Sequence, residues 1–128
     1  MIKWLEENSV VSWVVVSLIA IFIFYVSSLS FEAGTRELAL KSVVYHTGVF
    51  FLFGFFVILS LVRGKRIEFI FVGFLLALLY GISDEVHQLF VPGRYGSLKD
   101  VFLDGVGIIF ATMVYWIRLE AKKIQNSF

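Results

Sequence analysis

The chain has 128 residues, of which 59% are hydrophobic and 16% are charged, and its formal net charge is +1. A soluble domain of this length leaves much of its surface in water and carries about 25% charged residues, so the composition excludes a soluble globular protein and indicates an integral membrane protein with one domain over residues 1–128. The low net charge gives no sign of nucleic-acid binding, and the lack of cysteine excludes disulfides and thiolate metal sites.

Four apolar segments follow one another along the chain, and each is long enough to cross a membrane as a helix. They cover residues 10–29, 43–62, 67–89 and 98–117. A helix needs about 20 residues to cross a hydrocarbon core of about 30 Å, and backbone groups in lipid find partners only within a helix or a closed barrel. Because the segments are continuously apolar rather than alternating, the predicted fold is all-α, a polytopic bundle of four transmembrane helices.

The charges that flank the four segments predict the orientation of the chain. The N-terminus, the 63–66 loop and the C-terminus share one side, which carries seven of the eleven Lys and Arg residues. Both termini are therefore predicted to be cytoplasmic in a cell membrane, while the 30–42 loop and the loop after the third segment face outward. Because Glu6 and Glu7 precede the first segment, that segment does not resemble a cleaved signal peptide and is interpreted as a membrane anchor.

An unusually polar stretch, YGISDEVHQLFVPGRYGSLKD, separates the third and fourth segments and covers residues 80–100. Pro92 and Gly93 form a turn pair that is predicted to end the third helix. Ser97 stands three residues before Asp100, which predicts a capping box with Ser97 at the start of the fourth helix. The stretch is therefore interpreted as the outward-facing turn of a helical hairpin.

Small and polar residues share one face of each of the last two predicted helices. The face of the third helix carries Gly73, Ala77, Tyr80, Asp84, His87 and Gln88, and that of the fourth carries Asp100, Asp104, Gly107 and Ala111. The bulky residues of the third helix lie opposite and are predicted to face lipid: Leu75, Leu79, Ile82, Val86 and Leu89. Since small residues allow close helix packing in membranes, Gly73 and Ala77 are predicted to meet Gly107 and Ala111, which brings the carboxylates of both helices together.

The stretch SDEVHQLFVPGRYGSLKDVFLDGVG, residues 83–107, resembles the signature of VanZ-like membrane proteins, a family named for a teicoplanin-resistance accessory protein. The resemblance lies in the ordered set Asp84, Glu85, Gln88, Phe90, Pro92, Arg94, Ser97, Asp100, Asp104 and Gly107. His46 matches the upstream histidine of the family, although Val43 and Val44 stand where members usually carry a basic residue. The resemblance implies a multi-pass protein of the cell envelope, associated in some members with tolerance to lipoglycopeptide antibiotics, and it implies no particular reaction.

The polar site is expected to bind an anionic or lipid-linked headgroup, so membrane lipids are the expected partners. Arg94 would hold phosphate or carboxylate, together with Lys99 and His87, because a planar guanidinium suits bidentate recognition of anions. The acidic groups would accept hydroxyls or amides. The residues assigned to binding are His46, Asp84, Glu85, Gln88, Arg94, Ser97, Asp100 and Asp104.

Two other interpretations stay open. The first is a membrane-embedded hydrolase or transferase acting on a lipid-linked substrate by metal-assisted or general acid–base chemistry, with Glu85, His87 and Asp104 as candidate catalytic residues. No HExxH spacing occurs, and no metal ligand and no cofactor is assigned. The second is a structural role, in which the charges only lock the outer ends of the helices, since buried charges persist by pairing.

Overall fold

The structure, a computed structural model, describes residues 1–30 and 36–128, with side chains from residue 40 onward in the second range. Over these residues the chain is all-α. Its helices are α1 (Ile2–Glu7), α2 (Ser9–Ser27), α3 (Arg36–Val62), α4 (Ile70–Gln88) and α5 (Leu98–Gln125), and a 3₁₀ turn (Ile67–Phe69) leads into α4.

Four of the described helical stretches are long and apolar enough to cross a membrane. They are Ser9–Ser27, Leu40–Val62, Ile67–Gln88 and Leu98–Gln125. The predicted four-helix polytopic fold is therefore confirmed, and the bounds of the first and third spans agree to within two residues. Two bounds were wrong. Helix α3 begins at Arg36 inside the predicted 30–42 loop, and α5 runs to Gln125 rather than ending at Ile117, because backbone hydrogen bonding continues a helix beyond its apolar part.

The turn between α4 and α5 has the predicted chemistry with one difference. Gly93 adopts a positive φ of 78°, and the Ser97 side chain accepts a hydrogen bond from the backbone N–H of Asp100 at 3.4 Å. In a capping box the carboxylate of Asp100 would accept the backbone N–H of Ser97. Here Glu85 accepts it instead, at 2.8 Å, so the start of α5 is tied directly to the end of α4.

Gly73 and Gly107, the glycines of the two small-residue stripes, both lie against α3 rather than against each other as predicted. A methyl group added at Gly107 would overlap the carbonyl oxygen of Thr47, and one at Gly73 would lie 2.9 Å from the Ile58 side chain. Both neighbours belong to α3, which contacts every other helix of the described bundle. A stripe of small residues predicts that another helix packs closely against it, but it does not specify which helix.

The α4 face opposite its small residues is exposed, as predicted for a lipid-facing surface. Its bulky residues are 39–63% exposed, namely Leu75, Leu79, Ile82, Val86 and Leu89. The interior instead contains fully buried side chains from four helices, among them Phe50 and Ile58 of α3 and Tyr115 of α5. The bundle is therefore packed around α3, and two polar networks lie at its opposite ends.

One of these networks surrounds Glu6, which is only 3% exposed. Tyr115 donates a hydrogen bond to its carboxylate at 2.9 Å, Arg118 donates two at 3.2 Å, and Lys122 lies 3.6 Å away. The Tyr115 hydroxyl in turn accepts the backbone N–H of Gly64 at 3.0 Å. The N-terminal helix, the 63–66 turn and the last turns of α5 thus meet at one end of the bundle, which confirms that these segments share a side.

Candidate functional site

The second polar network lies at the opposite end of the bundle and is centred on His46, Glu85 and Asp104. These residues come from α3, α4 and α5 respectively, and they are 4%, 5% and 0% exposed. His46 Nδ1 lies 2.8 Å from Asp104 Oδ1 and 4.0 Å from Glu85 Oε1. The predicted convergence of the carboxylates with His46 is therefore found, and we call these three residues the inner cluster.

Asp100 connects the inner cluster to the surface. Its Oδ2 lies 3.9 Å from His46 Nε2, and its side chain is 21% exposed. Asp100 stands one helical turn before Asp104 on α5, so both carboxylates lie on the same face of the helix. The imidazole of His46 thus stands between a fully buried carboxylate and one that reaches the exterior.

Asp84 and Gln88 form a second layer that attaches the inner cluster to α2. Ser27 of α2 donates to Asp84 Oδ1 at 2.5 Å. Gln88 donates to Asp84 Oδ2 at 3.1 Å and to Glu85 Oε1 at 3.2 Å, and its side chain is buried. The Ser27–Asp84 bond ties α2 to α4, while the two Gln88 bonds lie within α4 and hold the Glu85 carboxylate in place.

The structure does not bring His87 into the inner cluster. His87 Nε2 lies 3.0 Å from Ser28 Oγ, and its ring stacks on Phe24 with centroids 4.5 Å apart. Two residues along a helix correspond to about 200° of rotation, so His87 and Glu85 point to different sides of α4. His87 therefore lies apart from Glu85 and Asp104, the other two candidate catalytic residues named from the sequence.

Arg94 and Lys99, two of the three residues predicted to hold an anion, lie at this end of the bundle. Arg94 is partly buried in the turn between α4 and α5, and it donates to the backbone carbonyl of Leu29 at 3.4 Å. Lys99 is exposed on the first turn of α5. The charges expected to hold an anion thus lie around the site, whereas the acceptors lie inside it.

Two buried polar atoms at the site have no hydrogen-bond partner within the part of the chain that the structure describes. They are Oδ2 of Asp104 and the hydroxyl of Tyr45. The sequence gives no periodic signal for Tyr45 beyond its position beside His46. An unsatisfied buried acceptor or donor costs about 1–3 kcal/mol, so each of these atoms marks a place where a ligand atom, ion or water would be favourable.

Exposed apolar side chains lie in and beside the turn between α4 and α5. Phe90 is 80% exposed, Tyr95 82% and Leu98 90%, and all three stand in or beside the turn between α4 and α5. Clustered exposed apolar residues mark a lipid- or ligand-contacting surface, and aromatic residues favour the level of the lipid headgroups. The end of the bundle therefore combines a buried polar interior with an apolar rim.

The chemistry of the inner cluster follows from its composition. Its two carboxylates and one imidazole offer hydrogen-bond acceptors to hydroxyls and amides, a paired base for proton transfer, and nitrogen and oxygen atoms for a cation. His46, Glu85 and Asp104 are close enough together to hold a metal ion, since the ligand atoms that they offer lie within 4.8 Å of one another. Intramembrane ionisable groups of this kind are costly and mark function by default.

Comparison with known protein families gives a match over most of the chain. The sequence model of the VanZ/LLP1 family matches residues 5–119. This range contains every residue of the inner cluster and of its second layer. No curated protein and no solved structure matches the chain. Since the match covers most of the sequence, the chain belongs to the VanZ/LLP1 family.

Proposed function

We propose that the His46 end of the bundle is an outer-facing site that binds the polar, anionic headgroup of a membrane lipid or lipid-linked molecule. The observation that carries the proposal is the combination of buried acceptors, a cationic turn and an apolar rim at one end of a membrane bundle. Each of these three features suits a different part of an amphipathic ligand, and a soluble ligand would not require the rim.

The polar part of the headgroup would divide between the turn and the interior. Arg94 offers the planar fork that suits phosphate or carboxylate, and it lies outside the carboxylates, so an anion bound there avoids the inner negative charge. Asp100 and Asp104 would accept hydrogen bonds from hydroxyl or amide groups that reach inward. A headgroup with both an anionic group and several donors therefore matches the distribution of charge.

The apolar part of the ligand would remain in the membrane beside the rim. Phe90, Tyr95 and Leu98 are each at least 80% exposed, which favours contact with lipid rather than with water. A lipid-linked ligand would thus reach the polar site from the membrane plane, without leaving the bilayer.

The orientation of the site is part of the proposal and is testable by labelling, because the chain contains no cysteine. On intact cells an impermeant maleimide should label Tyr95→Cys, and it should label Lys65→Cys only after permeabilisation. Lys65 is preferable to the adjacent Gly64, because a side chain at Gly64 would approach the Glu6 carboxylate at 2.6 Å. Labelling of Lys65→Cys but not Tyr95→Cys on intact cells would show the reverse orientation.

Headgroup binding is tested most directly by Arg94→Lys, which keeps the charge and removes the planar fork. We expect the purified wild-type protein to retain a polar lipid that mass spectrometry identifies, and Arg94→Lys to retain at least about tenfold less at nearly the same melting temperature, corresponding to a loss of about 1.4 kcal/mol of binding free energy. Arg66→Lys is the matched control, since it makes the same change at the opposite end of the bundle and should retain the lipid.

Two outcomes would contradict the proposal. Equal lipid retention by Arg94→Lys and the wild type would remove Arg94 from the site. A wild-type protein that retains no polar lipid, together with a large loss of melting temperature in both Arg94→Lys and Arg94→Ala, would support the purely structural role, in which the charges only lock the helices.

A second candidate function is acid–base hydrolysis or transfer on the same lipid-linked substrate, favoured by the 2.8 Å contact between His46 and Asp104. A carboxylate that orients an imidazole is a recurrent arrangement for proton transfer. Under this function Glu85→Gln would retain the lipid and lose its turnover, whereas under binding alone it would show no turnover to lose. The same samples, analysed for product as well as for lipid, separate the two functions.

Membership of the VanZ/LLP1 family supports extending the proposal to tolerance of glycopeptide antibiotics. A protein that holds a lipid-linked headgroup at the outer surface would alter how such antibiotics reach their targets there. Expression of the wild type in a susceptible host should then lower susceptibility to teicoplanin, and expression of Arg94→Lys should not.

A further inference from the structure

The inner cluster has a property that headgroup binding does not require. Its three members come from three different helices and offer one nitrogen and two carboxylate ligands within 4.8 Å of one another. We propose that His46, Glu85 and Asp104 bind a divalent transition-metal cation, such as Zn²⁺ or Mn²⁺. This inference goes beyond the proposed headgroup site, because protein atoms alone would hold the ion.

The charge at the cluster favours a cation. Glu85 and Asp104 are almost fully buried, and Asp100 stands 3.9 Å from the other nitrogen of His46. Three carboxylates therefore surround one imidazole, which neutralises at most one of them. Buried charges are stable only when they are paired or coordinate a metal, and a divalent cation bound to the neutral imidazole would offset two of the three negative charges.

The free acceptor of Asp104 is a second and independent observation. Asp104 is 0% exposed, and its Oδ1 already faces His46 at 2.8 Å. Within the described residues its Oδ2 has no hydrogen-bond partner. A fully buried carboxylate with one unused oxygen beside a histidine and a second carboxylate is the environment that a metal ion would complete.

The spacing and the surroundings also suit a metal. Ligands at about 2.0–2.1 Å from a tetrahedral centre stand roughly 3.3 Å apart, and the ligand atoms of the three residues lie within 4.8 Å of one another, so small side-chain shifts would bring them to that spacing. Glu85 is held in place through its partners: Gln88 donates to Oε1 and the backbone N–H of Ser97 donates to Oε2. Such outer contacts orient ligands at metal sites.

The mixed ligand set indicates which ions would bind. Imidazole nitrogen favours Zn²⁺ and related transition metals, whereas sites for Ca²⁺ and Mg²⁺ use oxygen ligands and water. One histidine with two or three carboxylates therefore selects Zn²⁺ or Mn²⁺ over Mg²⁺ and Ca²⁺. The order of affinity among these four ions is itself an expected result.

The experiment uses the full chain in detergent, without a polyhistidine tag, after removal of metals by a chelator. Titration with Zn²⁺ or Mn²⁺ should show one ion per chain and raise the melting temperature, since an ion that binds only the folded state stabilises it. Mg²⁺ and Ca²⁺ at equal concentration should have little effect. Asp104→Asn and His46→Gln should each weaken binding by at least about tenfold, the lower bound for loss of an outer contact at a metal site.

His87→Gln is the matched control, because it makes the same histidine substitution outside the cluster and should leave the affinity unchanged. If the cluster variants fail to fold, X-ray absorption of the Zn²⁺-loaded wild type still decides the matter, since it should show one nitrogen-ring ligand and otherwise oxygen. No metal on the wild type, equal affinity in Asp104→Asn, or a loss in His87→Gln would overturn the inference. Lipid retention without metal binding would refute this site alone, and metal binding without lipid retention would refute only the headgroup proposal.

Discussion

Gly107→Ala is expected to destabilise the bundle by about 3 kcal/mol, the upper part of the range for overpacking a dense interior. The added methyl group would overlap the carbonyl oxygen of Thr47 and lie 2.9 Å from the backbone nitrogen of Phe51. Both atoms belong to the backbone of α3, so no side-chain rotation relieves the clash and α5 must move away. Gly107→Leu should be worse, because the larger side chain adds further overlap.

Gly48→Ala is the matched control for this prediction. Gly48 lies on α3 next to Thr47, but a methyl group added there would meet no atom within 4 Å. The same substitution should therefore leave stability unchanged or raise it by about 0.4–1 kcal/mol, because alanine restricts the unfolded chain. Unfolding in detergent measures both variants, and equal stability of Gly107→Ala and Gly48→Ala would show that α5 does not approach α3 as described.

The contrast between these glycines shows what a sequence pattern specifies in a membrane bundle. Small residues at Gly73 and Gly107 correctly indicated faces of close packing, because only a missing side chain lets two backbones approach. The pattern does not identify the neighbouring helix. Gly73 and Gly107 were therefore predicted to meet each other, whereas both lie against α3. Hydropathy, in contrast, predicts which segments enter the membrane but not where a helix ends. It located the four spans, since burial in lipid acts on each residue separately, but it ended α5 too early.

The candidate site divides in a similar way. His46, Glu85 and Asp104 were all assigned to the site from the sequence, and the three side chains do meet. Their side of the helix was harder to predict, and His87 was included although it points to Ser28. The spacing between Ser97 and Asp100 correctly predicted Ser97 as the cap of α5. The backbone N–H of Ser97, however, is bound by Glu85 instead of Asp100, and this contact depends on how α4 and α5 pack, which the local sequence does not show.

Glu6 was missed as a structural residue because no local signal marks it. It stands 109 positions before its partner Tyr115 and 112 before Arg118, and a single carboxylate in a short N-terminal segment has no periodicity to analyse. From the sequence, Glu6 served only as evidence against a signal peptide. In the structure it joins the N-terminal helix to the 63–66 turn and to α5, which makes it the centre of the polar network opposite the candidate site.

Glu6→Gln is therefore expected to destabilise the protein by about 2 kcal/mol, in line with the loss of charged hydrogen bonds to a buried group. The effect stays below the 3–5 kcal/mol of a fully buried ion pair, because Arg118 and Lys122 are 30% and 33% exposed and water screens their charges. Glu7→Gln is the matched control, since the adjacent glutamate is exposed and should contribute little. Equal effects of the two substitutions would contradict the role of Glu6.

The same network predicts a dependence of stability on pH. Burial alone would raise the pKa of Glu6, but the hydrogen bonds from Arg118 and Tyr115 and the charges of Arg118 and Lys122 outweigh burial, so the pKa lies below its ordinary value. The stabilisation by ionised Glu6 is therefore fully present above the unfolded pKa of about 4.3 and is lost as the pH falls through the lower folded pKa. The difference in melting temperature between wild type and Glu6→Gln should be constant from pH 7 to about pH 5 and should shrink on further acidification. A difference that stays constant down to pH 3, in a protein that remains folded, would show that the charge of Glu6 does not stabilise this end of the bundle.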